Sequence, residues 1–202
     1  MNDSPVLHVI DDDDEARDSL AFLLGTAGFV VASHESAIAF LAALPGIKPA
    51  CIISDVRMPG MSGVELLQRM TKDRSTIPVI VISGHGDIPL AVEAMRLGAI
   101  DFLEKPFEEA AILAAVRRAL DHGGKTGKSG VDSDEIHQRL NALSERERQV
   151  LDGLIAGKPN KTIAYDLGIS PRTVEVYRAN VMNKMQATSL SDLVRMAFVA
   201  GF

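Results

Sequence analysis

The chain is poor in cysteine, in aromatic residues and in long apolar runs. Its 202 residues hold one cysteine, no tryptophan and 4% aromatics. A lone thiol closes no internal disulfide, so the fold cannot be a disulfide scaffold. Cys51 lies in the apolar run Cys51-Ile52-Ile53, where the role of a small buried hydrophobe is expected rather than that of a reactive thiol. No apolar stretch approaches the ~20 residues of a membrane-spanning helix. The N-terminus lacks the basic-then-apolar pattern of a secretory signal. A cytoplasmic protein, with no membrane partner, is the expectation.

What is present is the composition of a soluble globular protein, 47% hydrophobic and 24% charged. The net charge of −6 conceals an asymmetry. Residues 1–122 carry 18 acids against 10 Lys and Arg, whereas residues 136–202 carry 6 acids against 9. An acidic half joined to a mildly basic one predicts two domains with different partners, the basic one a candidate for nucleic acid.

From residue 6 to about 121, strand and helix signals alternate. Apolar runs at Val6–Ile10, Phe29–Ala32, Cys51–Ser54, Val79–Ser83 and Ile100–Leu103 read as buried strands. Helix-period segments at Glu15–Ala27, Ser36–Leu44, Gly63–Lys72, Pro89–Leu97 and Glu108–Leu120 follow them in turn. Five strands alternating with five helices predict a flavodoxin-like, doubly wound α/β fold around a five-stranded parallel sheet. Residues 123–130 have no apolar periodicity and read as linker. The Gly127-Lys128-Ser129 in that stretch falls short of a phosphate-binding loop, because His122 stands where a glycine is needed.

Over residues 139–202 only helix patterns remain. Ser144 with Glu147 three residues later forms a capping-box pattern that opens a helix over Glu145–Ala156. Asn160 is positioned to cap Lys161–Leu167. Gly168 breaks the chain before Ser170-Pro171, a cap and first-turn pair that opens the next helix. A last helix is predicted over Ser189–Val199. Four short helices with a glycine turn between them fit a small all-α helix-turn-helix domain. The divisions read as 5–121, a linker over 122–136, and 137–202.

Four consecutive aspartates, Asp11 to Asp14, follow the first strand. Carboxylates at the C-terminal end of a parallel strand fall where open α/β sheets place their ligands. Crowded acids call for a divalent cation, and hard oxygen ligands favour Mg²⁺. The ends of strands one, three, four and five supply Asp11 and Asp12, Asp55, Ser83 and Lys105. Two acids for a metal, a central acid, a hydroxyl and a cation suit phosphoryl transfer, which asks chiefly for alignment and charge neutralisation. Asp13 and Asp14 read as solvated charges at a helix start, His8 as a packed strand residue, and His85 as a loop residue outside the chemistry.

Asp11-Asp12, Asp55-Val56-Arg57-Met58-Pro59, Ser83-Gly84 and Lys105-Pro106-Phe107 occur in the order seen in receiver domains of two-component response regulators, which residues 5–120 resemble. The resemblance implies that Asp55 is the phosphoacceptor for a sensor histidine kinase. It also implies Mg²⁺ held by Asp12, Asp55 and the backbone carbonyl of Arg57, with Asp11 acting through water, and a cis Lys105–Pro106 bond. Ser83 stands where many relatives carry threonine. Phe102 reads equally as a core aromatic and as the rotating aromatic that the family couples to that hydroxyl. Phosphorylation would then repack the fourth helix and fifth strand and pair two receivers, with Val92 and Arg96 as contacts.

Along Pro171–Met185, Val174, Tyr177, Val181 and Met185 recur at helical spacing and predict a buried stripe. Arg172, Val176, Ala179 and Asn183 then face outward, flanked by Glu175 and Asn180, and the short and amide side chains among them allow close approach to base edges. Lys161, Thr173, Arg178 and Lys184 lie at the margins, where phosphate contacts are made. Leu143-Ser144-Glu145-Arg146-Glu147, Asn160-Lys161-Thr162-Ile163-Ala164 and Ser170-Pro171-Arg172-Thr173-Val174 resemble the LuxR/NarL-type effector domain. By position, its groove-facing residues fall on Glu175, Val176 and Ala179. Glu175 departs from the basic residue common there. Gly84-His85-Gly86-Asp87 and Glu104-Lys105-Pro106-Phe107 resemble the branch that answers an oxygen-sensing haem kinase.

Together these readings imply a phosphorylation-activated transcription regulator rather than an enzyme. One rival is a Mg²⁺-dependent phosphatase using a first-strand aspartate, which Asp11-x-Asp13 superficially suits. That family usually has Thr or Val where this chain has Glu15. The other keeps the receiver and makes the helical tail a protein-binding bundle.

Overall fold

A computed structural model describes residues 5–84, 88–124 and 133–202. Five strands, β1 (Val6–Ile10), β2 (Val30–His34), β3 (Pro49–Asp55), β4 (Val79–Ser83) and β5 (Asp101–Glu104), form one sheet. It runs β2-β1-β3-β4-β5, parallel throughout. The order steps outward from β1 in both directions, so the crevice lies beyond the C-terminal ends of β1 and β3. Interleaved helices are α1 (Asp14–Thr26), α2 (Ala37–Ala43), α3 (Gly63–Lys72), α4 (Ile88–Arg96) and α5 (Glu109–Gly124). The described residues separate into two compact units, 5–84 with 96–124 and 88–95 with 133–202.

In the first unit, Leu7, Val9, Cys51, Ile53, Ile80 and Ile82 pack against Leu20 and Leu24 of α1 and Ile112, Ala115, Val116 and Ala119 of α5. These strands are apolar on both faces because helices cover both, which is why they read as continuous runs. Cys51 is fully buried, and burial pushes its thiol up to about 12. His8 is buried as well. Its Nδ1 lies 2.8 Å from Nε2 of His34, and Phe40 packs edge-on against both rings. Burial, then the neighbouring His34, lowers the His8 pKa, so His8 packs as a core residue.

The C-terminal unit holds α6 (Ser133–Asn141), α7 (Glu145–Ile155), α8 (Asn160–Leu167), α9 (Pro171–Met185) and α10 (Leu190–Val199). The sequence reading gave four helices here; α6 is a fifth. Both capping patterns form: Ser144 accepts from Glu147 N–H while Glu147 returns to the Ser144 N–H, and Ser170 accepts from Thr173 N–H. Gly168 ends α8 at φ 65°, a left-handed turn that glycine adopts without a steric penalty. Asn160 does not cap α8. Pro159 holds the cap position with extended backbone, and Asn160 is already helical, its Oδ1 buried without a hydrogen-bond partner.

Candidate phosphotransfer site and nucleic-acid interface

At the C-terminal edge of the sheet, strand geometry delivers the expected side chains. Asp55 ends β3, Ser83 ends β4, Asp11 follows β1 and Lys105 follows β5. Lys105 Nζ donates to Asp11 Oδ2 and to Asp55 Oδ1, both at 2.8 Å. The Asp11 and Asp55 side chains are only 8% and 11% exposed. Burial alone would lower the Lys105 ammonium pKa. The hydrogen bonds and charges of Asp11 and Asp55 outweigh that and hold it above its ordinary value. Asp12 is exposed beside this pair.

Backbone donors fix the two acids. Arg57 N–H reaches Asp55 Oδ2 at 2.6 Å, and Asp13 N–H reaches Asp11 Oδ1 at 3.0 Å. Lys105 N–H bonds the carbonyl of Ser83, itself buried, at 2.7 Å, which ties the ends of β4 and β5 together. Lys105–Pro106 is cis. Asp13 caps α1 by accepting from Ala16 N–H, and Asp14 pairs with Arg17 in the first turn. Phe102 is buried in β5. His85, Gly86 and Asp87 lie outside the described residues.

Two residues that serve this site escaped the sequence reading. Arg17 donates to the backbone carbonyl of Asp11 at 2.8 Å, a contact to an acceptor that every residue type carries. Gly63 opens α3 so close to β3 that a Cβ there would lie 2.2 Å from the Asp55 carbonyl oxygen. Ser62 and Glu65 form a capping box at the same point, a pattern that was open to reading.

The site fits Mg²⁺ by the chemistry of its donors. Asp11, Asp12 and Asp55 offer hard oxygens, and Lys105 offsets only one of their three charges. Among the described residues, no three His, Cys, Asp or Glu side chains are grouped to hold a metal. Mg²⁺ needs only one or two carboxylates, the rest being waters and substrate phosphate.

In α9, Val174, Val181 and Met185 are fully buried, and Tyr177 is partly so. Arg172, Glu175, Val176, Ala179, Asn180 and Asn183 are exposed along the other side, Lys161 is exposed on α8, and Thr173 and Arg178 are partly covered. Two of the residues expected as contacts are engaged within the protein. Lys184 Nζ is committed to Glu147 Oε2 at 2.7 Å and to the carbonyl of Ala142 at 3.2 Å. Val92 is buried with the apolar side of α4, so it offers no free contact in this conformation, whereas Arg96 is exposed.

The Lys184 hydrogen bond, with the Ser144 N–H, holds the Glu147 carboxyl below its ordinary value. A depressed carboxylate stabilises the fold above its unfolded-state pKa, and that contribution is lost as pH falls through the lower folded value. Unfolding followed across acid pH is therefore expected to show a loss of stability below the usual glutamate range. Glu147→Gln should flatten that part of the profile.

Two family descriptions match the chain. "Response regulator receiver domain" covers residues 7–117, and "Bacterial regulatory proteins, luxR family" covers residues 141–197. The chain is 59% identical over 201 residues to the transcriptional regulatory protein FixJ of Azorhizobium caulinodans, spanning 100% of this chain and 95% of that protein. FixJ of Bradyrhizobium diazoefficiens is 56% identical, spanning 96% of this chain and 95% of the relative. The crystal structure of full-length FixJ from B. japonicum superposes with a TM-score of 0.58 at 55% identity, covering 100% of this chain and 98% of that one.

Proposed function

The chain belongs to the response regulators that join a receiver domain to a LuxR-family DNA-binding domain, and from that premise we propose that Asp55 is its phosphoacceptor. The observation that carries the proposal is the Lys105 ammonium, which bridges Asp55 and Asp11 at 2.8 Å at the mouth of the sheet. A histidine kinase would present its phosphorylated imidazole to Asp55. One Asp55 oxygen bonds to phosphorus as the nitrogen–phosphorus bond breaks, leaving an acyl phosphate. Arg57 N–H holds the other carboxylate oxygen in place. Lys105 and the Ser83 hydroxyl then meet the incoming oxygens. Mg²⁺, held by Asp12, Asp55 and the Arg57 carbonyl with Asp11 through water, would supply charge neutralisation on those oxygens.

The receiver is assigned to 5–121, the linker to 122–136 and the DNA-binding domain to 137–202, with α5 and α6 reaching into the linker from either side. Phosphorylation promotes homodimerisation of the receiver, with Arg96, which is exposed, as a contact and Val92, which is buried, contributing only once uncovered. A dimer sets two α9 helices on paired half-sites and raises affinity without new contacts per subunit. Resemblance to FixJ over the full chain favours an activator of nitrogen-fixation or oxygen-responsive genes. Its partners would then be a FixL-like haem kinase and RNA polymerase, and its location the cytoplasm. Among the described residues, no helix is long and apolar enough to cross a membrane. The receiver assists only its own phosphorylation and dephosphorylation, so no enzyme activity on other substrates is assigned. Family membership leaves the phosphatase and the protein-binding bundle without support.

Gel-shift titration of promoter DNA tests the scheme. Acetyl phosphate with Mg²⁺ is expected to tighten binding by the wild-type chain, and chelation of the metal before the phosphodonor is added should abolish the gain. Equal affinity with and without phosphodonor would refute the switch.

A further inference from the structure

Two cations meet the C-terminal end of α9, the helix read as entering the major groove. Arg139 of α6 donates through Nη1 to the carbonyl of Met185 at 2.9 Å, while its other nitrogen pairs with Glu135 at 2.5 Å. Lys184 reaches across to Glu147, whose side chain is 5% exposed, and to the Ala142 carbonyl just after α6. The end of a helix carries partial negative charge on its unpaired carbonyls, so a guanidinium there is favourably placed. Ile136 and Leu140 anchor α6 in the core, 1% and 3% exposed. The luxR-family match begins at residue 141, so all of α6 but its last residue lies outside it.

We propose that Arg139 and Lys184 are positioning residues that clasp the C-terminal end of α9 to α6 and α7, setting the angle at which α9 presents its outward side chains, and that neither contacts DNA phosphate. α6 thereby becomes the part of the DNA-binding domain through which its N-terminal connection acts on the recognition helix. The inference rests on the reading of α9 as the helix that meets DNA.

A positioning cation and a phosphate-binding cation differ in measurable ways. Losing a phosphate contact weakens binding to every sequence alike and lowers the slope of log affinity against log salt by about one. Losing a positioning contact weakens binding to the selected sequence and leaves that slope unchanged. The probes are a duplex that the full-length, phosphorylated wild type selects from a random pool, and a scrambled duplex of equal length. Fluorescence anisotropy over a salt series is run on Arg139→Met, Arg139→Lys, Lys184→Met and Glu147→Gln, with melting curves reporting their folding. Arg139→Met, Lys184→Met and Glu147→Gln are expected to lose about tenfold on the selected duplex and little on the scrambled one, at wild-type slope. Arg139→Lys, which keeps a cation near the Met185 carbonyl, should recover most of the loss. Equal losses on both duplexes, a slope lowered by about one, or no recovery by Arg139→Lys would overturn the clasp. Should a methionine variant fail to fold, Glu147→Gln and Arg139→Lys decide by the same criteria. If the wild type selects no duplex at all, the DNA-binding reading itself falls.

Discussion

An Asp55→Asn protein is expected to take up no phosphoryl group from acetyl phosphate in the presence of Mg²⁺. It should remain a monomer in sedimentation and bind promoter DNA no better with phosphodonor than without. The substitution is nearly isosteric but replaces an anionic oxygen with an amide nitrogen that cannot form the acyl phosphate. It also unbalances the local hydrogen bonds. Asp55 accepts from Lys105 Nζ at one oxygen and from Arg57 N–H at the other. An asparagine can satisfy only one of these donors and must set its own N–H₂ against the second, at a cost of about 1–3 kcal/mol. Removing one of three crowded carboxylates relieves repulsion and offsets part of that cost. Stability should consequently stay within about 2 kcal/mol of wild type, so the loss of function cannot be ascribed to unfolding. If paired half-sites supply the gain, wild type should exceed the variant by about 100-fold or more once phosphorylated. A variant that still dimerises with phosphodonor would show that Asp55 is not the acceptor.

That prediction rests on residues that are legible in the sequence. Strands buried on both faces appear as apolar runs, and the chemistry of such a sheet sits at the end of each run or within two residues past it, which pointed to Asp11, Asp55, Ser83 and Lys105. Strand ends moved by a residue or two where pairing extends past the apolar stretch, as at Pro49, which sits in register with Val6. The helix α6 was not legible in the same way. Its only buried apolar side chains, Ile136 and Leu140, sit in an otherwise polar segment, and its fixed position comes from contacts with α9 that lie far off in sequence. The ion pair of Lys184 was illegible for a related reason. Helical periodicity puts it at the exposed margin of α9, but its partner Glu147 is 37 residues upstream, and no local pattern joins them. Capping signals succeeded where a hydroxyl stood at the cap, at Ser144 and Ser170. They failed at Asn160, because Pro159, with its φ already fixed, took the cap position.

The second large effect concerns a residue with no chemistry of its own. Gly63→Ala is expected to destabilise the receiver by about 3 kcal/mol or more and to impair phosphoryl uptake in whatever fraction still folds. A Cβ at Gly63 would lie 2.2 Å from the Asp55 carbonyl oxygen and 2.9 Å from Ser54 Oγ. The nearer atom is backbone, so no rotamer change relieves the clash. Relief requires α3 to retreat from β3, which breaks the Gly63 N–H bond to the Val56 carbonyl at 3.1 Å, or Asp55 itself to shift. Either movement disturbs the turn whose Arg57 N–H orients the Asp55 carboxylate, and overpacking of this kind typically costs 1–3 kcal/mol before a lost hydrogen bond is added. Gly25 supplies the internal control. It lies within α1, nothing stands within 4 Å of its would-be Cβ, and its φ is not positive. Gly25→Ala should instead stabilise by about 0.5–1 kcal/mol, by restricting the unfolded chain and favouring the helix. Urea unfolding of the two variants beside wild type is expected to move the midpoint in opposite directions. Phosphoryl uptake per folded molecule should fall only for Gly63→Ala. If Gly63→Ala unfolds at the wild-type midpoint, the close approach of α3 to Asp55 is not what holds this corner of the site in place.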